Sequence, residues 1–123
     1  YGASLIISEA VRARLQDPNR YHLRFLDRVI VKGRTQVSAI YEVLNAEPEE
    51  RQRQKLATLS EFEAGIKAYG TRDLVAARDH FTVIRAQHPQ DKTAELYEER
   101  IHQLMEDGFP EDWDGTWAFT HKR

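Results

Sequence analysis

An α+β fold is predicted for this 123-residue chain by three observations. Apolar and polar residues alternate with a period of two between Tyr21 and Leu44. After Asn45 the apolar residues recur at steps of three and four, the helical spacing. Between these regions the charge changes sign: residues 1–45 carry seven Lys/Arg against four Asp/Glu, whereas residues 46–123 carry eleven against sixteen. The change falls at the Pro-containing acidic stretch NAEPEE, which marks a boundary.

The elements follow in order. SLIIS, Ser4 to Ser8, is short, apolar and β-branched, and reads as a buried strand. EAVRARL places Val11 and Leu15 four apart, which predicts a short helix ending before the DPN turn. From Tyr21, the residues Tyr21, Leu23, Phe25, Val29 and Val31 share one face, and His22, Arg24, Arg28 and Lys32 the other. Leu26, Asp27 and Ile30 break the alternation, so a bulge or a partly covered second face is expected there. GRTQ supplies a turn and VSAIYEVL a second strand, which makes an antiparallel hairpin and a β-α-β-β order over the first 45 residues.

Pro48 suits a first helical turn, and Glu47, Glu49 and Glu50 suit the positive end of a helix dipole. Leu56, Leu59, Phe62, Ile66 and Tyr69 outline a first helix, broken at Gly70-Thr71, with Thr71 or Asp73 capping the next. Leu74, Ala77, Phe81 and Ile84 outline a second, which stops at HPQD; Ala94, Tyr97, Ile101 and Leu104 outline a third, which ends at Asp107-Gly108. Short links make these antiparallel neighbours. The tail FPEDWDGTWAF is irregular, and its two tryptophans suit docking on a core. Three parts result: residues 1–46, a helical extension over 47–107, and an aromatic tail over 108–123.

Composition narrows the chemistry. A net charge of −2 gives no basic field for nucleic acid. The strip His22, Arg24, Arg28, Lys32 and Arg34 lacks stacking partners, because Tyr21 and Phe25 lie on the opposite face. No cysteine is present, which removes disulfides and thiolate chemistry and suits a reducing compartment, and the expected location is the cytoplasm. The five histidines, at 22, 80, 88, 102 and 121, show no metal-ligand spacing, so no metal site is assigned. No apolar run approaches the ~20 residues that span a bilayer. Glu95, Glu98, Glu99 and Arg100 read as the wet face of the third helix, and Asp27 is assigned no catalytic role.

The helical hairpin resembles a tetratricopeptide unit: Gly65, Ala77, Phe81 and Pro89 fall at the small, small, aromatic and closing-proline positions of that repeat. Glu61 stands where the tryptophan is expected, with Phe62 one residue later. These residues serve first as core, and the unit is a candidate surface for a protein partner.

YGASLIISEAVRARL followed by RFLDRVIVKGRTQVSAIYEVL resembles the C-terminal third of a class III nucleotidyl cyclase catalytic domain, the bacterial adenylate/guanylate cyclase family. The matching residues are Tyr1-Gly2, Ile6-Ile7-Ser8, Leu26-Asp27, Val31-Lys32-Gly33 and Val37 to Val43 with Tyr41-Glu42. A helical hairpin ending in DWDGTW, Asp112 to Trp117, is similar to the tail that follows this domain in bacterial cyclases.

The resemblance implies a partial ferredoxin-like β-α-β-β unit of a head-to-tail homodimer that holds ATP between subunits. It implies that Lys32 is the substrate-binding residue, its ammonium reaching the β- and γ-phosphates, with Gly33 freeing the backbone to turn. The reaction is attack of the 3′-hydroxyl on the α-phosphorus, giving cyclic AMP and pyrophosphate. The Mg or Mn ligands, the purine-selecting residues and the transition-state asparagine–arginine pair of that family belong upstream of Tyr1, so no catalytic residue is assigned here. The chain, which opens without methionine, is expected to be an inactive fragment of a larger enzyme. Its shortened sheet is expected to gain cover by dimerisation or by docking of the helices and tail. Two rivals stand beside this reading: a helical interaction module carried on a cyclase-like support, and a degenerate cyclase-like regulatory domain. ATP or GTP as substrate is left open.

Overall fold

The computed structural model describes residues 1–17, 20–30, 37–111, 113–115 and 117–118. The fold is α+β, in two compact units. One comprises residues 3–52 and 115–123 and holds the sheet; the other comprises residues 1–2 and 53–114 and holds the helical core.

In the sheet unit, β1 (Ile6–Ser8) leads into α1 (Glu9–Ala13), where Ser8 accepts from the Val11 amide as the N-cap. The strands β2 (Leu23–Ile30) and β3 (Val37–Val43) form the expected antiparallel hairpin. β1 pairs antiparallel with the other side of β3, so β1 and β2 run in one direction with β3 between them, a split β-α-β unit. A short β4 (Trp117–Ala118) from the tail adds in parallel to β2, and the sheet order is β1-β3-β2-β4. β4 thus occupies one edge of the sheet.

Three details differ from the pattern in the sequence. β1 is not buried: it is the other edge strand, and Leu5 and Ile6 are 47% and 41% exposed. Val11 of α1 is exposed as well. Arg24, expected on the wet face, is fully buried. The register explains it, since Arg24 lies opposite Glu42 across the hairpin and the two charges share a face. The break expected near Leu26 is a register shift between Phe25 and Asp27, which turns Leu26, Asp27 and Val29 all inward.

After a single 3₁₀ turn at Leu44–Ala46 come α2 (Glu49–Ala57), α3 (Leu59–Gly70), α4 (Leu74–Gln87) and α5 (Lys92–Asp107). The first expected helix is therefore split in two at Thr58. The hydroxyl of Thr58 donates back to the carbonyls of Gln54 (3.2 Å) and Lys55 (3.4 Å), a pairing that bends or interrupts a helix.

α3 ends in a Schellman arrangement: Asp73 N–H donates to the Ala68 carbonyl and Arg72 N–H to that of Tyr69. Arg72 takes the left-handed position at φ 68°, where glycine is usual. Asp73 then caps α4 by accepting from the Ala76 amide, and Asp91 caps α5 through that of Ala94.

The core of this unit is Phe62, Tyr69, Ala77, Phe81, Ile84, Ala94, Tyr97 and Ile101. Phe81 and Tyr97 stack at 5.1 Å with 4° between their planes, and Phe62 meets both rings edge-on. Gly65 and Ala77 are buried where α3 and α4 pack, and a Cβ on Gly65 would stand 2.9 Å from Phe81 Cε2. Arg100 leaves the wet face assigned to it: it is 4% exposed, with its guanidinium over the Tyr97 ring at 5.3 Å. Among the described residues, no helix is long and apolar enough to cross a membrane.

Candidate functional site

The candidate site lies on the β2–β3 hairpin. β2 ends at Ile30 and β3 begins at Val37, and Lys32, with Val31, Gly33 and Arg34, lies outside the described residues. What the structure describes is the framework on either side of it.

On one face of the hairpin, Arg24 Nε donates to Glu42 Oε2 at 2.6 Å. Both side chains are closed to solvent, at 0% and 1% exposure. This is a charge-assisted bond between directly opposed residues, in a buried setting where losing either partner is costly. Asp27, also at 0% exposure, stands opposite Ile40 just past the bulge, and its Oδ1 accepts from the Arg28 amide at 2.9 Å. Three ionisable groups thus sit inside a sheet whose neighbouring positions are Leu26 and Val29.

On the other face, Phe25 meets Tyr41 edge-on at 5.9 Å. Tyr41 Oη donates to Glu9 Oε1 at 2.8 Å, and Arg12 lies 5.2 Å over the same ring. Burial, and next the neighbouring Glu9 carboxylate, hold the Tyr41 phenol above its ordinary pKa of 10.0, with Arg12 opposing. Helix α1 is joined to β3 through these contacts. At the far end of the hairpin, the His22 amide donates to Asn45 Oδ1 at 2.7 Å and the Leu44 amide to the His22 carbonyl at 2.8 Å. The hairpin is therefore held on both faces and at the end remote from Lys32.

The sequence pattern placed Arg24 beside Lys32 as one more surface cation, and so missed the buried pair. A signal was available. Arg24 and Glu42 each interrupt an apolar strand, and the antiparallel pairing of the two strands sets them opposite one another. Among the described residues, no group of three or more His, Asp or Glu side chains is placed to hold a metal ion.

Comparison with protein-family models, with curated proteins and with solved structures gives no match for this chain.

Proposed function

We propose that this chain is the C-terminal portion of a class III nucleotidyl cyclase domain with a helical extension, and that Lys32 contacts the triphosphate of ATP in the intact enzyme. The observation that supports this best is the strand order. A β-α-β-β order whose last two strands pair as an antiparallel hairpin is the arrangement that the resemblance of YGASLIIS, LDRVIVKG and IYEVL to that family implies. In this reading the bulge at Leu26-Asp27 and the Arg24–Glu42 pair fix the strand from which the VKG segment departs. As pyrophosphate leaves, negative charge grows on its oxygens, and a lysine ammonium there acts as a point charge that counters it. The Mg or Mn ions would supply the larger part of that stabilisation, held by residues of the parent enzyme that precede this segment. Adenine is favoured over guanine because bacterial members of that family mostly make cyclic AMP. The protein encoded by the complete reading frame is expected to convert ATP to cyclic AMP with Mg or Mn present. Failure to cyclise either ATP or GTP, with both metals tried, sinks the proposal.

A second reading concerns the helices. Val75 (57% exposed) and Val83 (41% exposed) lie eight residues apart on the outer side of α4, a spacing that keeps them on one stripe. This favours a protein partner on α4. Partner capture that survives the change of both valines to serine would remove it.

A further inference from the structure

Within the sheet unit, the face that carries Tyr41 is apolar and only partly covered. The register of the antiparallel strands sets Ile7, Tyr41 and Phe25 in one row across it. Leu23 and Val37 extend the same face toward the two ends of the hairpin. Arg24, Leu26 and Val29, which belong to the opposite face, are 0% exposed. By contrast Ile7, Leu23, Phe25 and Tyr41 are half-buried, and Val37 is 39% exposed. A sheet that is apolar on both faces needs cover on both.

Helix α1 supplies little of that cover. It reaches the face at Tyr41, through Glu9 and Arg12. Its five residues make about 7.5 Å of helix, at ~1.5 Å per residue. The seven residues of β3 extend about 23 Å, at ~3.3 Å each. Val11 on α1 is itself 46% exposed.

The surroundings of this face are basic. Arg28 lies on it, opposite Ala39, and is exposed. Arg14, the C-cap of α1, is exposed too. Neither makes an ion pair among the described residues. Glu9 does not balance them, because its carboxylate is engaged by Tyr41 and Arg12.

We propose that this face docks an acidic amphipathic helix of a partner protein. The partner's apolar side chains would rest on Ile7, Phe25 and Tyr41, and its carboxylates would meet Arg14 and Arg28. A helix of about fifteen residues matches the length of β3. Charge complementarity favours this occupant over a second copy, since a two-fold contact brings the same arginines to both sides of the seam. The proposal stands apart from the cyclase reading and uses no nucleotide.

NMR titration of the whole chain with synthetic peptides tests it. The probe is an amphipathic helix of about eighteen residues, leucine on one side and glutamate on the other. Its control carries lysine in place of glutamate. The glutamate peptide is expected to shift the amides of Ile7, Phe25 and Tyr41 and to bind about tenfold more tightly than the control at low salt. Raising the salt should narrow that gap. Arg14→Glu/Arg28→Glu is expected to reverse the preference. Should that variant fail to fold, Arg14→Gln/Arg28→Gln is expected to remove most of the preference. Absent binding, equal affinity for the two peptides, or shifts confined to α4 overturn the proposal. So do the same shifts on concentrating the chain alone, which assign the face to a second copy. A stronger response to phosphatidylserine vesicles than to the peptide assigns it to a membrane and overturns the proposal as well. Repeating the titration on the protein of the complete reading frame supports the proposal if binding persists. Loss of binding there shows that other residues of that protein cover the face, and overturns it.

Discussion

Removing one member of the Arg24–Glu42 pair should cost more than any other single change on the hairpin. Arg24→Met leaves the Glu42 carboxylate at 1% exposure without the guanidinium that donates to it at 2.6 Å. Glu42→Leu leaves the guanidinium of Arg24 buried in the same way. Breaking a buried pair from one side costs about 3–5 kcal/mol, a large fraction of the ~5–15 kcal/mol that holds a domain together. The double variant Arg24→Met/Glu42→Leu removes both charges and fills the space with apolar volume. It should fall within about 2 kcal/mol of the unmodified chain, on either side. The coupling between the two sites is therefore several kcal/mol, far above the few tenths expected of independent positions. The exposed pair Arg12–Glu9, with both side chains at 45% exposure, provides the contrast, since the coupling between them in the same kind of cycle should be about 0.5 kcal/mol. Urea unfolding of the sheet unit, followed through the amide signals of β2 and β3, gives these differences. Single variants that each lose less than about 1 kcal/mol, or a double variant that loses the sum of the two, would refute the reasoning.

Other expectations concern the helices and the titration of Tyr41. Gly65→Ala sets a Cβ 2.9 Å from Phe81 Cε2, and because that ring is stacked on Tyr97 it cannot give way; about 1–3 kcal/mol should be lost in a urea unfolding curve of the helical unit. Gly70→Ala meets nothing within 4 Å and should instead gain a few tenths to about 1 kcal/mol in the same assay. Asp73→Ala removes the acceptor for the Ala76 amide at the start of α4 and should cost about 1 kcal/mol, with Asp73→Asn restoring most of it. The raised pKa of Tyr41 means that the folded chain holds the phenolic proton more tightly than the unfolded chain. Stability from this group is complete below pH 10 and declines as the pH rises through the folded value. An ultraviolet titration compared with that of Tyr41→Phe should show Tyr41 ionising above pH 10, and Glu9→Gln should move it part of the way back, because burial is the larger cause.

The helical half of the fold was the more legible in the sequence, for a physical reason. A single apolar stripe of period three to four names both the element and its buried face, and Phe62, Tyr69, Phe81, Tyr97 and Ile101 all lie in the core as their spacing required. The strands were found, but their faces were harder to assign. A bulge shifts every later residue to the other side, and a cation buried by a cross-strand partner looks on paper like a solvated one. β1 is apolar and β-branched without being buried, since its position at a sheet edge depends on strand order, which composition does not encode. Thr58 ends α2 through its own hydroxyl, a local competition that a count of apolar spacings passes over. The parallel pairing of β4 joins residues nearly ninety positions apart and left no periodic trace. As for the site, Lys32 was singled out by its neighbours in the VKG run, whereas the buried pair that steadies its strand required the register.

The most direct measurement of the proposed function is the rate of cyclic AMP formation by the protein of the complete reading frame with Lys32 changed to alanine. Loss of one charge contact to the departing pyrophosphate should lower kcat/KM on the order of a hundredfold, about 2–4 kcal/mol of transition-state stabilisation. Turnover equal to that of the unmodified enzyme would place Lys32 outside the reaction and contradict the account.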